Sequence, residues 1–256
     1  MTSSLLELAC RTAIEAGALL LERFGGEAHG VGSKSSGTDM VSDADRDAEA
    51  LIVERILSAR PDDGILGEER GGRAGTSGFR WVIDPLDGTT NYLYGLPQWA
   101  VSIACEDASG TLAGVVRDSV RDETFSASRG SGAYLNGERV HVGDAARLSD
   151  ALISTGFSYL AAERAAQGDV VARVLPAVRD IRRAGAAALD LAWTACGRLD
   201  GYYESAMQPW DLAAGALLVV EAGGVVSRLP GVGPSGGGVV AAPPQLHDAL
   251  RALALG

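Results

Sequence analysis

The stretch Trp81-Val82-Ile83-Asp84-Pro85-Leu86-Asp87-Gly88-Thr89-Thr90-Asn91 concentrates the side chains of this chain that could do chemistry. An apolar strand delivers Asp84 at its end; Pro85 is expected to stop ladder pairing there, and Asp87-Gly88 to force a turn before a short helix. Two carboxylates spaced in this way can converge on one point. Hard divalent cations such as Mg²⁺ want that arrangement, with oxygen ligands from carboxylates and carbonyls and several waters retained. The plainer alternative is that Asp87 caps a helix and Asp84 shapes a turn. Two further segments weigh against it. Gly67-Glu68-Glu69 ends a short strand upstream, and Trp210-Asp211 opens an apolar helix that runs to Glu221-Ala222-Gly223-Gly224. Alone, Asp211 is an ordinary N-cap and Glu68 an ordinary surface acid. Together with Asp84 and Asp87 they are acids at strand ends or helix starts, where loops build sites.

The elements that must position these acids are legible from periodicity. Leu5 to Phe24 repeats apolar residues at helical spacing between Glu7, Arg11, Glu15 and Glu22, and a second helix runs from about Asp45 to Ala59, stopping before Pro61. The period then shortens. Gly64 to Gly67, Arg80 to Ile83, Trp99 to Glu106, Leu112 to Asp118 and Glu123 to Ser128 read as strands, and Asn136-Gly137 closes a hairpin between Ala133–Leu135 and Glu138–Val140. Beyond Ser149 come a strand at Leu152–Thr155, helices at Ala161–Val178 and Gly185–Cys196, and a strand at Leu199–Glu204. A helix at Leu212–Ala222, strands at Val225-Val226 and Val239-Val240, and a helix at Pro244–Leu255 complete the chain. Gly71–Gly78 and Gly231–Gly238 read as loops. Helices grouped beside a block of strands favour layered sheets and helices with much antiparallel pairing over strict βαβ alternation.

Composition narrows the function. The 256 residues carry 22 Lys+Arg against 33 Asp+Glu, a formal charge of -11, and 46% hydrophobic residues. An acid excess of that size argues against nucleic acid as a partner, because duplex binding needs basic groups to replace phosphate counterions. Cys10, Cys105 and Cys196 are far apart and without C-x-x-C pairing, so neither a disulfide framework nor a zinc site is indicated and a reducing cytoplasm is expected. No signal peptide and no membrane span is expected. Three familiar spellings fail on context. Gly231-x-Gly233-x-x-Gly236 contains Pro234 and is followed by Val-Val rather than a helix; Gly233-x-Ser235-x-Gly237 lacks an acid before His247; Asp43, Asp45, Asp47 and Glu54 match a calcium loop except that Ala48 stands where Gly is needed. A helix N-terminus rich in acids explains most of the last cluster.

With those residues assembled, the sequence resembles the inositol monophosphatase family. Its two signatures are matched by Asp84-Pro85-Leu86-Asp87-Gly88-Thr89 and by Trp210-Asp211-Leu212-Ala213-Ala214-Gly215 through Glu221-Ala222-Gly223-Gly224. The likeness extends to Lys34-Ser35-Ser36, Asp39-x-Val41-Ser42-x-x-Asp45, Gly67-Glu68-Glu69, the Gly130–Gly137 hairpin and Gly185 through Tyr202-Tyr203-Glu204, nearly the whole chain. Haloacid-dehalogenase phosphatases need acids two residues apart, whereas Asp84 and Asp87 are three apart.

The resemblance implies an α/β (α+β) fold, a layered α-β-α-β-α sandwich of the inositol monophosphatase / fructose-1,6-bisphosphatase type. It implies one domain over 1–256, with halves of about 1–145 and 146–256 sharing one active site. It further implies a phosphomonoesterase with two or three Mg²⁺, cleaving myo-inositol 1-phosphate or a similar polyol or sugar monophosphate by in-line attack of a metal-activated water. Glu68, Asp84 and the Leu86 carbonyl would hold the first ion, and Asp84, Asp87 and Asp211 the second; a third would lean on Glu68, with Asp39 and Asp45 nearby. Glu68 and Thr89 would orient and deprotonate the water, while Asp87, Gly88, Thr89, Thr90, Gly185, Ala186, Ala187, Glu204 and Asp211 would contact substrate. Ala186 stands where animal members usually carry Thr, and no role is assigned to Lys34, the only lysine. Lithium sensitivity and a homodimer are family expectations. Histidinol-phosphate phosphatase, fructose-1,6-bisphosphatase and 3′-phosphonucleotide phosphatase are alternatives within the family, and a non-catalytic protein-binding member is an alternative of another class.

Overall fold

Alternation along the strands sorts the core into layers. Successive strand residues face opposite sides of a sheet. Trp81, Ile83, Val101, Ile103 and Val115 accordingly join one buried cluster, while Val82, Ala100, Ala104, Val116 and Phe125 join another. The computed structural model describes residues 2–27, 29–33, 40–231 and 237–256. Lys34, Ser35, Ser36 and Asp39 lie outside the described residues, as does most of the Gly231–Gly238 stretch.

Two helices, α1 (Thr2–Arg23) and α2 (Asp43–Ala59), cover the first face of an eight-stranded sheet. Its strands are β3 (Gly64–Gly67), β4 (Gly71–Arg73), β5 (Arg80–Asp87), β6 (Ala100–Asp107), β7 (Gly110–Asp118), β8 (Glu123–Ser128), β9 (Gly132–Leu135) and β10 (Glu138–Val140), in the order β10-β9-β8-β7-β6-β5-β3-β4. Only β3 and β5 pair in parallel; the other neighbours are antiparallel. A small ribbon of β1 (Gly32–Ser33) and β2 (Met40–Val41) precedes α2, and α3 (Thr89–Leu93) follows β5 directly.

Against the second face lie α5 (Ala187–Ala195) and α6 (Pro209–Glu221), which also contact a five-stranded sheet. That sheet runs β12 (Asp180–Arg182), β11 (Leu152–Thr155), β13 (Gly201–Glu204), β15 (Gly238–Ala242), β14 (Val225–Leu229). Its alternation repeats the sorting rule. Tyr202, Val239 and Ala241 turn to the shared inner core, while Tyr203, Val240 and Ala242 turn outward to α4 (Ala161–Val174) and α7 (Pro244–Leu255). The result is the layered α-β-α-β-α arrangement.

Several boundaries differ from the sequence reading, each for a local reason. Gly71–Arg73, read as loop, is an exposed edge strand on β3. The helix expected to reach Val178 ends at Val174 and tightens into a 3-10 turn at Leu175–Ala177, because Pro176 cannot extend it. Conversely α6 begins at Pro209 rather than Leu212, since proline suits the first helical turn. No helix among the described residues is long and apolar enough to cross a membrane, and all three cysteines are free thiols.

Candidate active site

Pro85 does not end the strand. β5 pairs through Asp84 with Ser102 and again through Asp87 with Ala100, so Pro85 and Leu86 together oppose Val101 as a β-bulge. A bulge absorbs the missing proline N–H and re-aims the side chains on either side. The Leu86 N–H donates to Asp84 Oδ1 at 3.0 Å, which fixes that carboxylate inside the bulge. Gly88 then turns the chain into α3 with φ +91°, and a Cβ there would lie 2.8 Å from the Gln98 carbonyl oxygen. Glycine is required on both counts.

Glu68 is presented by a different device. Its own N–H donates to the Ile83 carbonyl at 3.2 Å, and the following turn is held by Glu49 of α2. Fully buried, Glu49 accepts the N–H groups of Glu69 at 2.7 Å and Arg70 at 2.9 Å. Gly67 leaves it room, since a Cβ there would come within 2.7 Å of Glu49 Oε1. Asp211 sits in the first turn of α6, accepting the Gln208 N–H at 2.8 Å in a capping box.

Glu68, Asp84, Asp87 and Asp211 line one cleft of about 580 Å³, together with Leu86, Gly88, Thr89, Gly185–Ala187 and Glu204. Both halves of the chain therefore contribute to it. Thr90 does not line it: one position beyond Thr89 on α3, its side chain is turned by about 100°.

Burial is what charges the site with consequence. Asp84 is only 2% exposed, and burial, reinforced by the charges of Glu68, Asp87 and Asp211, pushes its carboxyl well above the usual range. Asp211 is likewise pushed well up, by burial and by Glu68, against the help of the Gln208 N–H. Asp87 rises to about 7 because burial outweighs the N–H groups it accepts. Among the described lining residues the one cationic side chain is Arg183, on the far side. Crowded carboxylates without a basic partner demand protons or metal cations. The donor set, all carboxylate and carbonyl oxygen, fits a hard divalent ion. Among the described residues no three potential ligands are already drawn together as a finished ion site, so the fit lies in donor chemistry and placement.

The far side is built from the C-terminal half. Glu204, at the end of β13, accepts the Tyr202 hydroxyl and lies under the influence of Arg183, which stacks its guanidinium 5.8 Å from the Phe157 ring centre. Burial raises the Glu204 carboxyl. Asp87 reaches across from β5, its Oδ1 accepting the N–H of Ala187 at 3.0 Å and its Oδ2 that of Ala188 at 2.8 Å. It thereby caps α5, whose own N-cap, Ala186, has no side chain able to do so.

Asp45 was expected near a third ion or as a helix cap. It is buried at 1% exposure and is the N3 member of the α2 capping box, accepting the N–H of the N-cap Ser42 at 2.8 Å. Its other oxygen, Oδ1, stands 2.9 Å from the Thr89 hydroxyl, which is also 3.0 Å from the Leu86 carbonyl oxygen. Sequence reasoning missed this pair, Glu49, Arg183, and buried Asp190, another acid lining the cleft. The available signal for Glu49 was its spacing, three residues before Ile52 and seven before Ile56, which puts an acid on the apolar stripe of α2.

The fold and this site define a layered α-β-α-β-α sandwich with an acid-lined cleft to which residues before and after position 150 contribute. The chain matches the inositol monophosphatase family over residues 1–255 and belongs to it. It is 45% identical over 242 residues to the inositol-1-monophosphatase SuhB of Mycobacterium tuberculosis, covering 91% of this chain and 83% of that one. It is 42% identical over 229 residues to the Nus factor SuhB of Escherichia coli K12, covering 89% and 86%. The crystal structure of the extragenic suppressor protein suhB from Bartonella henselae superposes with a TM-score of 0.91 at 38% identity, covering 98% of each chain.

Proposed function

We propose that this chain is a Mg²⁺-dependent phosphomonoesterase acting on myo-inositol 1-phosphate or a similar polyol or sugar monophosphate. The observation that carries the reading is Asp84, buried in the β5 bulge with Glu68, Asp87 and Asp211 around it, in a cleft that Glu204 also lines. Glu68, Asp84, the Leu86 carbonyl, Asp87 and Asp211 would hold two or three Mg²⁺. When bound, the ions supply the positive charge that turns a phosphate-repelling cleft into a phosphate site and polarises the ester.

The chain's own groups then divide the work. Gly88 leaves the backbone open to close approach by the phosphate. Glu68 and the Thr89 hydroxyl orient the attacking water in line with the leaving alkoxide. Thr89 takes up the proton of that water as its own is drawn toward Asp45 Oδ1, 2.9 Å away. On the far wall Glu204, with the backbone of Gly185–Ala187, accepts and donates hydrogen bonds to substrate hydroxyls. A homodimer in the cytoplasm is the state we propose for the active protein.

The test is a rate panel with Mg²⁺ across myo-inositol 1-phosphate, histidinol phosphate, fructose 1,6-bisphosphate and a nucleoside 3′-phosphate. The expected outcome is the highest kcat/KM on inositol phosphate and loss of at least about a thousandfold in Asp84→Asn. Preference for histidinol phosphate would sink the substrate assignment, and unchanged turnover in Asp84→Asn the cation assignment. The name of the Escherichia coli relative supports a second reading, a protein-binding role without turnover; no phosphate release from any member of the panel would favour it.

A further inference from the structure

We propose that Asn91 is a positioning residue through which the metal side of the cleft fixes the geometry of its substrate side. This rests on the reading that the Gly185–Ala187 turn contacts the substrate.

Asn91 lies on α3, two residues after Thr89, and is 7% exposed. Its carboxamide nitrogen stands 2.7 Å from the Gln98 carbonyl oxygen, 2.8 Å from that of Ala184 and 3.3 Å from that of Gly185. Three carbonyl oxygens around one nitrogen call for a group that only donates. A carboxylate there would be repelled, and a hydroxyl has a single proton to give. Four residues earlier, Asp87 takes the N–H groups of Ala187 and Ala188. One short segment thus bonds both the carbonyls entering the α5 turn and the amides leaving it, although the partners are 93 to 101 residues apart in the chain.

The turn has no local substitute for these bonds, because its N-cap is Ala186. Asp87 cannot hold it alone once a cation draws on the same carboxylate. Asn91 is neutral and does not line the acid cleft, so no proposed ion draws on its side chain. It keeps Gly185–Ala187 in register with the phosphate end while Asp87 serves both roles. A displacement of about 1 Å in such a positioning group is enough to cost up to a hundredfold in rate.

The experiment compares wild type with Asn91→Ala, Asn91→Ser and Asn91→Asp on myo-inositol 1-phosphate and on 4-nitrophenyl phosphate, which has no polyol to position. In Asn91→Ala, kcat/KM for inositol phosphate should fall about tenfold or more, chiefly through KM, while that for 4-nitrophenyl phosphate stays within about threefold. The Mg²⁺ concentration for half-maximal rate should stay within about twofold. Asn91→Asp keeps the shape but loses the donors and should be at least as impaired; Asn91→Ser keeps one donor and should fall between. Hydrogen exchange in the metal-free protein should quicken at the amides of 187–190 and not in β5 and β6. Parallel losses on both substrates, or an Asn91→Asp variant with wild-type selectivity, would overturn the proposal. Should wild type show no Mg²⁺-dependent turnover, the proposed activity fails by itself; exchange at 187–190 then decides, and unchanged rates in Asn91→Asp overturn the positioning role.

Discussion

The two walls of the cleft are made in different ways. On the proposed metal side, Asp84, Leu86, Asp87, Gly88 and Thr89 come from one uninterrupted segment, shaped by a bulge and a left-handed glycine, and are joined by Glu68 and Asp211 from elsewhere in the chain. On the proposed substrate side, Glu204 comes from β13, where it accepts the Tyr202 hydroxyl from two residues back, and Gly185–Ala187 come from the entry to α5. Asp87 and Asn91 hold the α5 entry from across the cleft. The contrast teaches that much of the proposed reactive wall is encoded in one segment, with Glu68 and Asp211 brought to it by packing, whereas the α5 entry of the proposed selective wall is held from across the cleft.

Replacing Asp45 by Asn should break the reactive wall most severely without touching the proposed ligands. The Thr89 hydroxyl would lose its anionic partner, and kcat should fall about a hundredfold with KM little changed. Steady-state rates at saturating Mg²⁺ check this; a drop confined to KM would place Asp45 on the selective wall instead. The fold itself should lose only about 1 kcal/mol, the worth of the α2 cap.

A smaller effect is expected from the opposite wall. Glu204→Gln keeps the size of the side chain and a hydrogen bond to Tyr202 but removes a charged acceptor for substrate hydroxyls. KM for inositol phosphate should rise about tenfold with kcat nearly unchanged. Equal kcat losses on inositol phosphate and 4-nitrophenyl phosphate would erase the proposed division between the walls.

The mildest test uses stability. In the metal-free protein the carboxyls of Asp84, Asp87 and Asp211 titrate above their unfolded values, Asp87 at about 7. Folding then takes up protons, so these groups favour the folded state in acid. That advantage declines as pH rises from the unfolded range near 4 through about 7. The thermal midpoint of chelator-treated protein should fall by roughly 5 °C between pH 5 and pH 8, and Mg²⁺ should restore it most at the higher pH. A midpoint indifferent to Mg²⁺ at pH 8 would detach the acid cluster from cation binding.

The comparison also explains what could be read in advance. Asp84 and Asp87 were legible because a strand, a proline and an Asp-Gly turn in one segment are enough to single them out, and Asp211 because the apolar run that follows it announces a helix. The continuation of β5 through Pro85 was not legible: a bulge depends on what β6 offers opposite, here Val101 between Ser102 and Ala100. Asp45 reads as a helix-start acid, a cap or a solvated face; the cap is Ser42, and Asp45 is its partner in the capping box. Its second oxygen meets Thr89 only because α2 packs beside β5, a contact between residues 44 positions apart. Glu204 was indistinguishable from a strand-end surface acid until β13 was seated beside the cleft.

By itself the sequence determined the alternation that sorts side chains between layers, the acids Asp84 and Asp87 of one segment, and a charge of -11. Those follow from interactions within a few residues or from composition. Only the tertiary structure decided that Asp87 caps a helix a hundred residues away, that Asn91 grips its entry, and that Glu49 shapes the turn carrying Glu68. The physical reason is the same in each case. A buried polar group must find partners, and which partners are within 3 Å is settled by packing between distant segments rather than by spacing along the chain.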